Sequence, residues 1–175
     1  MKQKCIFLDR DGVLNVDRVD YVYRMEDFII PPGVGEALKA LKEAGYLLII
    51  ITNQSGIAKG IYRREDVYMI HQAIQDGTGV ELDDIYFCPY HEKFDSHSLT
   101  RKPGSLMIEK AAAKYKIDMD ASWMVGDHER DITAGTRAGL RTIRIAAPAT
   151  ETKATHLVDD LLAASKVILA WTRSI

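Results

Sequence analysis

Apolar residues in this 175-residue chain gather into short runs, and each run ends on a polar or glycine-bearing segment or follows one. Residues 4–8 run into Asp9, 46–51 into Thr52-Asn53-Gln54, 85–88 into Pro89, and 122–125 into Gly126-Asp127; a fifth run, 141–145, follows Gly139. Unbroken apolar runs of about 4–8 residues fit strands covered on both faces, as in a parallel sheet. Between them the apolar spacing lengthens to that of a helix. Val34, Ala37, Leu38 and Leu41 fall three or four residues apart, with Gly45 as a stop. Val67, Ile70 and Ile74 mark a second helix over 66–74, and an alanine-rich stretch over 106–115 predicts a third, with Gly104 and Ser105 at its start. A fourth covers 129–138 and ends at Gly139; Leu157, Leu161, Leu162, Val167 and Ile168 predict a last helix over 157–171.

Strands alternating with helices imply right-handed crossovers and an α/β fold, a doubly wound parallel sheet. No internal repeat or linker interrupts the pattern, so residues 1–175 read as one domain. Two connections stand out: a short flap over 15–31, and a polar loop over 89–103 rich in His, Ser and Thr. Neither is long enough for a large cap. Loops of this length are usually functional or disordered.

Composition narrows the class without naming any chemistry. With 47% hydrophobic and 27% charged residues, the chain matches an ordinary globular domain and excludes disordered and collagen-like classes. The longest apolar run, 46–51, falls far short of the roughly 20 residues that span a bilayer. A signal-peptide core of about 7–15 apolar residues is missing before Asp9, so the expectation is a cytoplasmic protein without membrane contact. Lys and Arg number 23 against 25 Asp and Glu, a formal charge of −2, and the basic residues are dispersed. That argues against nucleic acid as a partner. Cys5 and Cys88 do not make a disulfide framework, and a monomer is the expected state.

Chemistry enters at the strand ends, because an open parallel sheet binds ligands at the carboxyl edge of its strands. Asp9 and Asp11 follow the first strand, Thr52 the second and Asp127 the fourth, while Lys102 lies ahead of the third helix. Carboxylates converging at one edge repel unless a cation sits between them, and hard oxygen ligands suit Mg²⁺ beside a phosphate. A hydroxyl and an ammonium opposite supply the donors that phosphoryl oxygens need. Asp9 is a candidate to attack phosphorus, and Asp11, two residues on, to move a proton at the leaving oxygen.

The string Phe7-Leu8-Asp9-Arg10-Asp11-Gly12-Val13-Leu14-Asn15 resembles the first motif of the haloacid dehalogenase superfamily of phosphatases. Thr52-Asn53-Gln54-Ser55-Gly56 is similar to its second, Arg101-Lys102-Pro103 to its third, and Gly126-Asp127 with Asp131 to its fourth. All four occur in order, and the resemblance spans about residues 6–145. The wording is closest to the branch that holds D-glycero-D-manno-heptose 1,7-bisphosphate 7-phosphatases and histidinol-phosphatases. The resemblance implies a Rossmann-like fold and a Mg²⁺-dependent phosphomonoester hydrolase acting on a small phosphorylated metabolite, foremost that heptose bisphosphate. Histidinol phosphate or another sugar phosphate is the alternative. It implies Asp9 as nucleophile, Asp11 as general acid and base, and Thr52 and Lys102 as phosphoryl binders. Asp9, the Asp11 carbonyl and Asp127 would hold the magnesium. Asp17, Asp20, Asn53, Gln54, Ser55, Arg101 and His128 would contact substrate, and Asp131 would orient its neighbours.

One departure concerns zinc. Relatives of this branch often carry Cys-x-His and then Cys-x-Cys before the third motif, whereas this chain offers Cys88, His91 and His97 at irregular spacing. A structural zinc needs four ligands, so none is expected here. Two other classes compete with the enzyme. A signalling receiver domain would place its phosphorylated Asp after the third strand, where this chain has Cys88-Pro89. A non-catalytic phosphosugar-binding module would share every motif, and turnover separates it from the enzyme.

Overall fold

The computed structural model describes residues 2–172. The five apolar runs become β1 (Cys5–Leu8), β2 (Leu47–Asn53), β3 (Asp84–Cys88), β4 (Trp123–Gly126) and β5 (Arg141–Ile145). A sixth strand, β6 (His156–Val158), joins them in the order β3-β2-β1-β4-β5-β6, with every neighbouring pair parallel. The helices are α1 (Val34–Glu43), α2 (Arg64–Thr78), α3 (Leu106–Tyr115), α4 (Glu129–Arg137) and α5 (Leu161–Thr172).

The strands read as unbroken apolar runs because helices cover both faces of the sheet. Ile6, Leu8, Leu48, Ile50, Trp123 and Val125 pack against Val34, Leu38 and Leu41 of α1, Ile70 and Ile74 of α2, and Ile168 of α5. The alternate residues Cys5, Phe7, Ile49, Ile51 and Met124 point the other way, onto Met107, Ile108 and Ala111 of α3 and Ala134 of α4. The strand order turns back between β1 and β4, and such a reversal opens a crevice at the carboxyl edge.

The helix expected over 157–171 is corrected. Residues 156–158 pair with Ile143, Arg144 and Ile145 of β5, so Leu157 lies on a strand. Asp160 then starts α5, its carboxylate accepting the Ala163 N–H at 2.7 Å. His156, expected near a helix start, sits instead on the edge strand with its ring 5.9 Å from that of Trp123. The second helix is longer than the 66–74 that its apolar spacing shows; Asp66 caps it by accepting the Arg63 N–H at 2.7 Å. Of the two long connections, the flap between β1 and α1 is closed at its base by the Val16 N–H donating to the Ile29 carbonyl at 2.9 Å. The other, between β3 and α3, carries the polar loop. No helix among the described residues is long and apolar enough to cross a membrane.

Candidate active site

Strand register brings the first, second and fourth motifs to one edge. Leu8 pairs with Ile50 on one side and Val125 on the other, and the Asp9 N–H donates to the Val125 carbonyl at 2.9 Å. Asp9 thus leaves the sheet level with the ends of β2 and β4: Thr52 is the last residue but one of β2, not a residue beyond it, and Asp127 directly follows β4. Two glycines make the approach possible. Gly12, at φ +79°, lies so close to Asp127 that a Cβ there would strike its carboxylate. Gly126 stands in the same relation to Asp131.

Lys102 reaches this edge from the polar loop and is wholly buried. Its ammonium lies 2.9 Å from Asp9 Oδ1 and 2.7 Å from Asp131 Oδ1, and donates to the Ile51 carbonyl at 2.8 Å. Its backbone is clamped by Asn53, whose side-chain oxygen accepts the Lys102 N–H at 3.0 Å while its amide donates to the Lys102 carbonyl at 3.1 Å. The end of β2 therefore fixes the third motif. Burial opposes the charge on Lys102, yet the Asp131 and Asp9 carboxylates hold its pKa above the usual lysine value. Asp9 shows the opposite balance. Burial and repulsion from Asp131 outweigh Lys102 and push its carboxyl from 3.8 up to about 6. Asp9 Oδ1 also accepts the Arg10 N–H at 2.7 Å.

Asp11 is surrounded by donors. Its Oδ1 accepts from Arg10 Nε at 3.1 Å, Arg10 Nη2 at 2.8 Å and Asn15 Nδ2 at 3.0 Å, and its Oδ2 from Gln54 Nε2 at 3.0 Å. Burial works against ionisation here too, but the Arg10 charge and these hydrogen bonds prevail, so Asp11 is held below the usual carboxylate range. Arg10 is itself 1% exposed and donates to the Val22 carbonyl at 2.9 Å, which ties the flap to the first motif.

Asp131 sits at the start of α4, accepting the His128 N–H at 3.0 Å through Oδ2. Asp127 directly follows β4, its Oδ1 2.8 Å from His128 Nδ1. That carboxylate raises the pKa of the imidazole. Among the described residues, Asp127, His128 and Asp131 bring potential ligand atoms within 4.8 Å of one another. Asp131 is already engaged by Lys102 and the α4 backbone, which leaves Asp127 as the carboxylate open to a cation.

Several residues expected at the substrate lie elsewhere or act differently. Gln54 is buried, bonded to Asp11, to Thr52 Oγ1 at 3.0 Å and to the Tyr62 hydroxyl at 2.6 Å, and Asn53 is spent on Lys102. Asp20 is turned into an exposed pair with Arg18 at 3.0 Å, away from the strand ends. Asp17 is exposed and accepts the Arg18 N–H at 2.8 Å; partial burial and the charges of Asp11 and Asp127 raise its pKa. Ser55 is buried beside Tyr21 of the flap. Arg101 stands at the rim, donating to the Tyr90 carbonyl at 3.3 Å. Cys88 is buried at the end of β3, while in the polar loop His91 Nδ1 accepts the Lys93 N–H at 3.2 Å and His97 is exposed. Sequence reasoning passed over Arg10, Asn15 and Tyr62. The available signal was Arg10 itself, a charged residue between two aspartates directly after a buried strand.

Comparison with known proteins agrees with this geometry. A HAD-hydrolase-like family model matches residues 99–164. The D-glycero-beta-D-manno-heptose-1,7-bisphosphate 7-phosphatase of Haemophilus ducreyi is 39% identical over 150 residues, 81% of this chain and 82% of that protein. The D-glycero-alpha-D-manno-heptose-1,7-bisphosphate 7-phosphatase of Burkholderia mallei is also 39% identical, over 81% of this chain and 79% of its own. Among solved structures, D,D-heptose 1,7-bisphosphate phosphatase from B. bronchiseptica, complexed with magnesium and phosphate, superposes with a TM-score of 0.88 at 29% identity, covering 97% of this chain and 99% of that one. With its doubly wound sheet, its four motifs at one edge and these relatives, the chain belongs to the HAD-like phosphatases, in the group of the heptose-bisphosphate phosphatases.

Proposed function

We propose that this phosphatase removes the 7-phosphate of D-glycero-D-manno-heptose 1,7-bisphosphate through a phosphoryl group carried on Asp9. The observation that carries the reading is the placement of Asp9. It sits at the sheet's reversal point with Oδ1 held by Lys102 and the Arg10 N–H, at the carboxyl edge that also carries Thr52, Asp11 and Asp127. The relatives' names supply the sugar.

The donor set fits magnesium. Among the described residues, Asp127 Oδ1 is buried with only the misaligned His128 ring nitrogen 2.8 Å away, and Lys102 does not offset burial and the Asp131 charge at Asp9. Carboxylates of Asp9 and Asp127 with the Asp11 carbonyl form an all-oxygen set of the kind Mg²⁺ takes. When bound, the ion would offset the charge of the carboxylates and of the phosphate.

The protein's own groups then divide the work. A carboxylate oxygen of Asp9 attacks phosphorus, and the bond from phosphorus to the sugar oxygen breaks. Asp11 gives its proton to that oxygen. Asp11 is ionised as it stands, so it takes up this proton as the anionic substrate arrives and raises its pKa. Asp11 next takes a proton from water, whose oxygen attacks the phosphoryl group; inorganic phosphate leaves and Asp9 is restored. Thr52 and Lys102 steady the transferring oxygens, and Asp131 keeps Lys102 charged and in place. Substrate is gripped at the rim by Arg101, His128 and Asp17, with Ser55 buried beside Tyr21 below them.

The same reading includes a monomer in the cytoplasm whose 89–103 loop holds no zinc. Metal analysis of the purified protein checks the last point, and one zinc per chain contradicts it. Phosphate release from a panel holding both anomers of the heptose bisphosphate, histidinol phosphate and simple hexose phosphates tests the substrate. The expected result is a kcat/KM for the heptose bisphosphate on the order of a hundredfold above the rest. Equal slow hydrolysis of all of them contradicts it.

A further inference from the structure

Behind the phosphoryl site lies a chain of contacts that the reaction scheme leaves unused. The Gln54 amide is 1% exposed and fully engaged: Nε2 donates to Asp11 Oδ2 and to Thr52 Oγ1, both at 3.0 Å, and Oε1 accepts from the Tyr62 hydroxyl at 2.6 Å. The Tyr62 ring is 5% exposed and rests on Gly56, where a Cβ would fall inside the ring. On its other sides sit two rings of the flap. Tyr23 stacks on it at 5.3 Å and 18°, and Tyr21 meets it edge-on at 5.8 Å and 66°. Tyr21 is in turn anchored by Lys59, whose ammonium donates to its hydroxyl at 2.6 Å.

A primary amide has one accepting end and one donating end. Only one orientation of Gln54 presents donors to both Asp11 and Thr52; the flipped one sets its oxygen against the Asp11 carboxylate. The Tyr62 hydroxyl donates to that oxygen and so favours the first orientation. Burial keeps the phenol protonated, which preserves the donor. We propose that Tyr62 is a positioning residue for phosphoryl transfer, acting through the Gln54 amide on Asp11 and Thr52, with the flap rings holding Tyr62 in register. The inference rests on the proposed roles of Asp11 and Thr52. It makes seating of the flap and alignment of the proton-transfer group parts of one packed unit.

A double-mutant cycle tests it in the full-length protein with Mg²⁺ and the heptose bisphosphate, following phosphate release. Tyr62→Phe keeps the ring and removes the hydroxyl, so a buried amide oxygen loses its donor and the amide turns. The expected result is a fall in kcat of about tenfold with KM within about twofold, the loss of one well-placed hydrogen bond in the transition state. Gln54→Leu is expected to lower kcat at least as far, and adding Tyr62→Phe to it to lower kcat no further. Tyr23→Ala, at a partly exposed ring, keeps the hydroxyl and serves as the second variant should Tyr62→Phe fold poorly. Its smaller fall in kcat is expected to vanish in the Gln54→Leu background. Rates are divided by the folded fraction from circular dichroism, so lost stability alone does not register as lost kcat. Wild-type kcat in Tyr62→Phe, or losses that multiply independently of Gln54, overturn the inference while leaving the phosphatase reading intact. No phosphate release by the wild-type protein overturns both.

Discussion

The floor of the pocket and its rim are built by opposite means. On the floor, Asp9, Lys102 and Asp131 are 0–4% exposed in their side chains, and each is held at a strand or helix end by backbone as well as by ion pairs. In the flap Arg18 and Asp20 form an exposed pair, and at the rim Arg101 leans on a loop carbonyl. A buried ion pair is strongly coupled to its surroundings, because removing one partner strands the other in a poor solvent. An exposed pair is screened and contributes little. The buried charges are thus fixed by strand and helix ends, while the exposed pairs of the flap and loop contribute little to holding them.

Substitutions on the floor carry the largest expected effects. Asp9→Asn keeps the shape and hydrogen-bonding capacity but removes the nucleophile; turnover is expected to fall on the order of a thousandfold or more. Circular dichroism and the thermal midpoint check that the fold survives. Lys102→Met is expected to lose activity and also about 3–5 kcal/mol of stability, since two buried carboxylates lose their shared cation. Urea unfolding at pH 7 measures this. A loss under 1 kcal/mol would mean the floor is no more tightly coupled than the rim.

A third prediction concerns acid sensitivity. His71 on α2 is 1% exposed, and among the described residues neither ring nitrogen has a hydrogen-bond partner; burial, with the nearby Arg10 charge, lowers its pKa from 6.5 to about 3. The unfolded chain therefore binds a proton near pH 6.5 that the folded chain refuses until about pH 3. Stability is lost as pH falls through that window, by about 1.4 kcal/mol per pH unit. His71→Leu is expected to remove this slope. Between pH 7 and pH 5 the wild-type protein should lose about 2 kcal/mol more than the variant, and equal losses would contradict the assignment. The smallest effect belongs to the flap: Arg18→Ala is expected to leave the unfolding midpoint unchanged within error and kcat within about twofold. A large fall in kcat there would show that the flap pair does more than shape the flap.

The same contrast explains what was legible in the sequence. Asp9, Thr52, Lys102 and Asp127 could be placed because each directly follows a strand or belongs to a motif of fixed spacing, and parallel register turns that spacing into proximity. Strand β6 escaped because three residues give no usable periodicity, and Leu157 matched the helical spacing of the residues after it. Gln54 and Asn53 stood in the right motif with the wrong expected partners. Polar residues beside a phosphate site read as substrate contacts, and only coordinates show their amides turned inward to Asp11 and to the Lys102 backbone. Tyr62 escaped for a related reason: an isolated tyrosine carries no sequence mark of what its hydroxyl meets.

The central claim is that the phosphoryl group passes through Asp9. Rapid acid quench of heptose bisphosphate turnover in Mg²⁺, followed by mass mapping of the peptides, tests it most directly. The account predicts a phosphoryl group on the peptide containing Asp9, formed and lost within one turnover and missing from Asp9→Asn, which releases no phosphate. Phosphate release by Asp9→Asn at the wild-type rate would contradict it.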